Sequence, residues 1–193
     1  MRTSSESREI RYDLARDRAR GLLTLTRQKP PVDVQAIIDL AGVPVVERVL
    51  VDGVRGTIGD VAGRRTIILN RRHRFSSQQE RRWALAEELG HVLLDHRLVE
   101  STQPGKPTMG LLEERRLLYE REARAFAAEL LMPFFEVRKR WFAISQERPV
   151  KGELSLEDRV KRLADEFGVT PMAMRVQFEQ MKRVQSVAKE TWS

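Results

Sequence analysis

LAEELGHVLLDH, residues 85–96, is the stretch on which the reading of this chain turns. Leu85, Leu89, Val92 and Leu93 recur at helical spacing, and Ser77 with Glu80 forms a capping box upstream, so a helix is predicted from there to about residue 97. On that helix Glu87 and His91 are four apart and share a face, while Glu88, offset by about 100°, reaches the space beside them. The spacing is that of HExxH, in which two histidines hold a metal and the intervening glutamate takes a proton from the bound water. Here a glutamate stands at the first ligand position. A third protein ligand would come from another helix, and Glu122, in YEREARAFAAELLMP, is the acid best placed to supply it. By itself, Glu and His at this spacing suits a solvent face equally well.

The composition frames what such a helix can belong to. A chain of 193 residues, 41% hydrophobic and 33% charged, is that of a soluble globular protein with one sizeable core and a small appendage. No run approaches the roughly 20 apolar residues of a membrane span, and MRTSSESREIRYDLARDRAR is too charged for a signal peptide, so a cytoplasmic protein is expected. The absence of cysteine excludes disulfides and thiolate metal sites and leaves three histidines and the carboxylates as ligands. The net charge of +7 draws on Arg71, Arg72, Arg74, Arg81 and Arg82, which suit nucleic acid or an acidic protein partner. Their spread over several predicted elements favours a solvated basic surface.

The pattern outward from the central helix is α+β. Residues 11–27 carry Leu14, Gly21, Leu22 and Leu25 at helical spacing, and Asp33 caps a short helix over 34–40 that ends at Gly42 and Pro44. VPVVERVLV (43–51), VRGTIG (54–59) and RTIIL (65–69), broken at Asp52-Gly53 and Ala62-Gly63, predict a three-stranded antiparallel meander. STQPGKPTMG (101–110) reads as an exposed loop, and helices are predicted over 111–131, 134–145, 156–167 and 171–183.

These segments resemble, in order, the ImmA/IrrE family of bacterial metallopeptidases over roughly residues 12–135. PPVDVQAIIDLAGVPVV is similar to the family's first helix and strand, and RTIILN to its last strand, with its characteristic asparagine at Asn70. RRWALAEELGHVLLDH is similar to the active-site helix of the form RFTLAHELGHxLLH, and EREARAFAAELLMP to the ExEANxFAAxLLMP segment. The resemblance implies a gluzincin-like peptidase: zinc on two histidines and a downstream glutamate, and a helix glutamate as general base. Carried over, His91 is the second ligand, Glu122 the third with Glu120 as fallback, and Glu88 the base. Known members cleave or otherwise relieve a helix-turn-helix repressor in phage or mobile-element induction or in the DNA-damage response. Glu87 replaces the first histidine, and Arg124 the asparagine after Glu-Ala.

Both departures have physical content. A glutamate carboxylate reaches about as far as a histidine Nε2, so Glu87, His91 and Glu122 form a ligand set for a divalent metal, zinc by resemblance, with manganese or iron favoured by the added oxygen. Without a metal, Glu87, Glu88 and Glu122 around His91 would repel one another and need protons or cations. Arg124 either reaches one of these acids or faces solvent. His73 and His96 read as surface histidines, Asp95 either accepts the second N–H of His91 or faces water, and Tyr119 is an oxyanion-stabilising candidate by proximity to Glu122.

VKRLADEFGVTPMAMRVQFEQM (160–181) has a helix-turn-helix pattern with Thr170 as N-cap and Pro171 at the first helical position. Its second helix begins Pro171, Met172, Ala173, Met174, which suits packing rather than base readout, so sequence-specific DNA binding is not expected. The whole reads as an α+β, zincin-like peptidase domain over 1–150 and a helical, helix-turn-helix-like subdomain over 151–193. Its expected role is a metal-dependent endopeptidase-like regulator of a repressor, or a non-catalytic relative that binds a repressor or toxin partner, with a DNA-binding regulator using the tail as a further alternative.

Overall fold

Seven helices and three strands are formed by residues 11–96, 109–146 and 154–190, which the computed structural model describes. In chain order they are α1 (Tyr12–Thr26), α2 (Val34–Leu40), β1 (Val45–Arg48), β2 (Gly56–Val61), β3 (Arg64–Asn70), α3 (Gln78–Leu93), α4 (Met109–Leu131), α5 (Phe134–Gln146), α6 (Leu156–Phe167) and α7 (Pro171–Glu190). The α+β class and the expected caps are present: Asp33, Ser77 and Thr170 each accept a bond from the backbone N–H three residues on. Most of the loop predicted over 101–110 lies outside the described residues, and α4 already begins at Met109.

The sheet has its three strands but is mixed, not an antiparallel meander. Its order is β1-β3-β2, with β2 antiparallel and β1 parallel to β3. The two glycine breaks have different work. Ala62 and Gly63, both at positive φ, close the tight β2–β3 hairpin. Asp52-Gly53 instead lies within a longer connection, 49–55, that crosses the end of β3 to reach its far side. Asn70, 3% exposed, holds that crossing: its Oδ1 accepts from Leu50 and Arg72 N–H at 3.1 and 3.0 Å, and its Nδ2 donates to the Val54 carbonyl at 2.8 Å. Arg55 is delivered to the site by this connection.

The sheet lies against α3, α3 against α4, and α4 against α1. Leu85 and Leu89 of α3, Phe126 and Leu130 of α4, and Ile67 and Leu69 of β3 are fully or almost fully buried. Burial of each such side chain contributes about 1.5–3 kcal/mol. Gly90 lets α3 and α4 approach, because a Cβ there would lie 2.9 Å from Phe126 Cδ1. Val160, Leu163, Phe167 and Met174 from α6 and α7 join the same apolar cluster. Arg82 of α3 ties them in by donating to the Val32 carbonyl at 2.6 Å and to the Gly168 carbonyl at the turn between α6 and α7.

In α1 the buried face differs from the predicted one. Ala15 and Ala19 are fully buried, whereas Leu14 and Leu25 are 39% and 72% exposed. Small side chains win because α1 lies close on α4. Flanking them, Arg11 and Arg20 reach buried Glu122 and Glu129, whose carboxylates accept at 2.7 and 2.8 Å.

Candidate functional site

Glu87 is buried because α3 packs on both the sheet and α4, and a carboxylate at such a place needs partners. It has two. Arg124 Nε of α4 donates to Oε1 at 3.0 Å, and Arg55 Nη2, from the residue before β2, donates to Oε2 at 3.2 Å. Of the two environments open to Arg124 in the sequence, the one realised is the acid cluster. It also lies 3.7 Å from Glu120 Oε2.

Glu122 is equally engaged. Arg11 donates to Oε1 through its backbone N–H at 2.9 Å, and its guanidinium reaches Oε2 at 2.7 Å through Nη2 and 3.1 Å through Nε. His96 Nε2 lies 3.0 Å from Oε2. Burial pushes the Glu122 pKa up, but the hydrogen bonds from Arg11 and His96 outweigh it and hold the group below the usual carboxylate range.

His96 is therefore a buried member of the site, 1% exposed, and not a surface histidine. The sequence reading extended α3 too far: the helix ends at Leu93, Asp95 takes a left-handed φ of 54°, and the chain turns back. The turn is held by the His96 N–H donating to the His91 carbonyl at 3.0 Å, and by Arg65, which donates to the His96 carbonyl. His96 stacks on Tyr119, centroids 4.3 Å apart, and its Nδ1 lies 3.0 Å from Nδ1 of His91. Since ionised Glu122 can only accept, His96 must carry its proton on Nε2. His96 Nδ1 then accepts from His91 Nδ1–H, leaving the His91 Nε2 lone pair bare. Burial, reinforced by His96, Arg124 and Arg65, lowers the His91 pKa to about 4. His96 thus holds the place considered for Asp95, whose carboxylate instead meets Arg65 at 2.7 Å.

Glu88 sits below Gly56, where a Cβ would come within 3.2 Å of both its Cγ and Oε1. Burial first, then Glu87 and Glu120, raise its pKa to about 8 against the opposing pull of Arg55. At neutral pH it holds a proton. Glu120 Oε1 lies 3.8 Å from His91 Nε2, beyond a hydrogen bond. His73 is half-buried against Glu80, 3.2 Å away.

Glu88 is buried beside Glu87 on α3, His91 lies 3.8 Å from Glu120 of α4, and Glu122 is linked to His91 only through His96. They do not converge as ligands: among the described residues no three His, Asp or Glu side chains form a metal-holding group. Glu87 and Glu122 have their oxygens turned to arginines, and a dication would have to strip these away. As arranged, the residues do not fit a metal centre. Arg11 and Arg55, which complete the arrangement, carried no signal in the sequence, because one precedes a helix and the other follows a turn with no motif around it.

No curated protein sequence matches the chain significantly. Among solved structures, a Mycobacterium tuberculosis transcriptional regulator is similar with a TM-score of 0.53 at 18% identity, over 86% of this chain and 48% of that one. The chain spans about half the length of that protein, and at this identity the likeness is one of fold. Among the described residues no helix is long and apolar enough to cross a membrane. Residues 41–179 match the peptidase family model described as the IrrE N-terminal-like domain, and a match over most of the chain, together with the α3–α4 arrangement, places this protein in that family.

Proposed function

We propose that this chain is a non-catalytic member of its family that regulates by binding a protein partner, a helix-turn-helix repressor or similar regulator, without cutting it. The observation that carries the reading is Glu87 held between Arg55 and Arg124 at the position where the family places its first metal ligand. A metal would also meet an energetic cost: a charge-assisted hydrogen bond contributes about 1.5–3 kcal/mol net, less where the arginine is half exposed, so releasing Glu87 and Glu122 costs several kcal/mol. Micromolar to nanomolar metal binding supplies only about 8–12 kcal/mol, and the displaced guanidiniums would stay beside the ion. A protonated Glu88 is consistent with the same reading. The description of the structural neighbour as a transcriptional regulator supports a regulatory role.

Elemental analysis of protein purified without chelators, then reconstituted with zinc or manganese, tests the proposal. The expected result is well below one metal per chain, unchanged in His91→Ala and Glu122→Ala. About one metal per chain, lost in both variants, would overturn it.

A further inference from the structure

A cleft of about 710 Å3 opens between α7 and the α3–α4 pair, sharing only the arginine wall with the Glu87 centre. Its apolar lining includes Trp83 of α3, Met132 at the end of α4, and Met172 and Val176 of α7. The last two are decisive. They are 71% and 50% exposed on the first turns of a helix whose core face is supplied by Met174, Phe178 and Met181. Met172 and Val176 are spaced i, i+4 and form a ledge that the protein's own core does not use. Methionine suits a surface that must fit an irregular apolar partner.

The charged lining is one-sided. Arg16, Arg55, Arg121 and Arg124 border the cleft against a single acid, Glu80. Glu80 is already engaged by the Ser76 N–H and hydroxyl at 2.7 and 2.8 Å and by His73. Glu87 takes one N–H from each of Arg55 and Arg124, and each guanidinium carries five, so donors remain for an incoming carboxylate.

We propose that this cleft receives an acidic amphipathic helix of a partner protein, its apolar face on Met172, Val176 and Trp83 and its carboxylates on the arginine border. The proposal rests on the reading that the chain acts by binding, and names the chemistry of what it binds. A helix is favoured because the lining comes mostly from α1, α3, α4 and α7, with no strand among the lining residues to offer backbone pairing. A second copy, at net +7, would bring like charge. The chain's own residues 1–10 and 97–108 carry as many basic as acidic side chains or more, and so do not supply the complement. Nucleic acid would answer the arginines and leave the methionine ledge without apolar cover.

The test is calorimetric titration of the full chain with a 20-residue helical peptide, leucine at i, i+3, i+4 and i+7 repeats and glutamate on the other faces. The same peptide with lysine for glutamate is the control. The acidic peptide is expected to bind, the lysine peptide not, and affinity should fall at least about tenfold in M172D/V176D and in R16E/R121E, with circular dichroism confirming that both variants fold. A single M172A, which removes apolar contact without adding charge, should weaken binding by a smaller factor. Absence of binding, equal binding of the lysine peptide, or unchanged affinity in both folded double variants would overturn the docking proposal. Mass spectrometry of the peptide after titration separates the two readings: cleavage overturns the non-catalytic function, whereas the affinities alone decide the cleft.

Discussion

Arg124 Nε lies 3.0 Å from Glu87 Oε1, which pairs two of the positions at which the chain departs from the motifs it resembles. The departures compensate each other: the carboxylate that replaces an imidazole on α3 meets the guanidinium that replaces an amide on α4. Reversing both by E87H/R124N restores the motif but leaves Glu122 tied to Arg11. The double variant is expected to take up far less than one zinc per chain, and the triple variant with R11A to approach one, read by elemental analysis after zinc reconstitution.

Removing the Arg11 side chain leaves a carboxylate that is 3% exposed with only the backbone N–H of residue 11 and His96 as donors. Breaking a buried pair costs about 3–5 kcal/mol, reduced here because the Arg11 side chain is 46% exposed. R11A is expected to lose roughly 1–3 kcal/mol in urea unfolding, and R11A/E122Q to recover part of that loss because a neutral amide replaces the stranded charge. A double variant no more stable than R11A would show that Glu122 is satisfied by other means.

Stability should fall between pH 6.5 and pH 8. The Glu88 pKa rises from 4.5 to about 8 on folding, so the folded state binds the proton more tightly, and that contribution is lost as pH climbs toward 8. His91 acts oppositely: its pKa drops from 6.5 to about 4, so its contribution grows with pH and is complete near 6.5. His96, also lowered from 6.5, follows the same direction. Thermal melts across pH 6.5–8 should show Tm declining in the wild type and nearly level in E88Q.

Two substitutions probe the scaffold. G90A places a Cβ 2.9 Å from Phe126 and 3.2 Å from the Ala123 carbonyl, an overpacking expected to cost about 1–3 kcal/mol. N70A removes the side chain that holds the 49–55 crossing and is expected to lose a similar amount, with hydrogen exchange accelerating at Leu50 and Arg72. Unaltered exchange there would mean the crossing is held by its own backbone.

What was legible in the sequence followed periodicity and caps. Gly168 ends α6 and Thr170 caps α7 as predicted, and the 85–96 stretch and the EREARAFAAELLMP segment both lie on helices, α3 and α4, that pack together. What escaped depended on contacts between distant segments. The parallel pairing of β1 with β3 is set by a crossing that looks locally like a hairpin turn. The buried alanines of α1 are selected by proximity to α4, which no hydrophobic stripe announces. His96 was misplaced because two residues after Leu93 leave the helix, and Arg11 and Arg55 come from parts of the chain that no local pattern connects to α3.

The two arginine clamps of α1 also bear on how the molecule assembles. Arg11 and Glu122 are 111 residues apart, and Arg20 and Glu129 are 109 apart. Closing such long loops is entropically costly and slow compared with forming a helix or a hairpin. During synthesis α1 leaves the ribosome well before α4 exists, and its arginines wait in solvent. Glu122 and Glu129 are thus late fastening points of the fold, and the chain's first described helix is expected to be among the last elements locked in place.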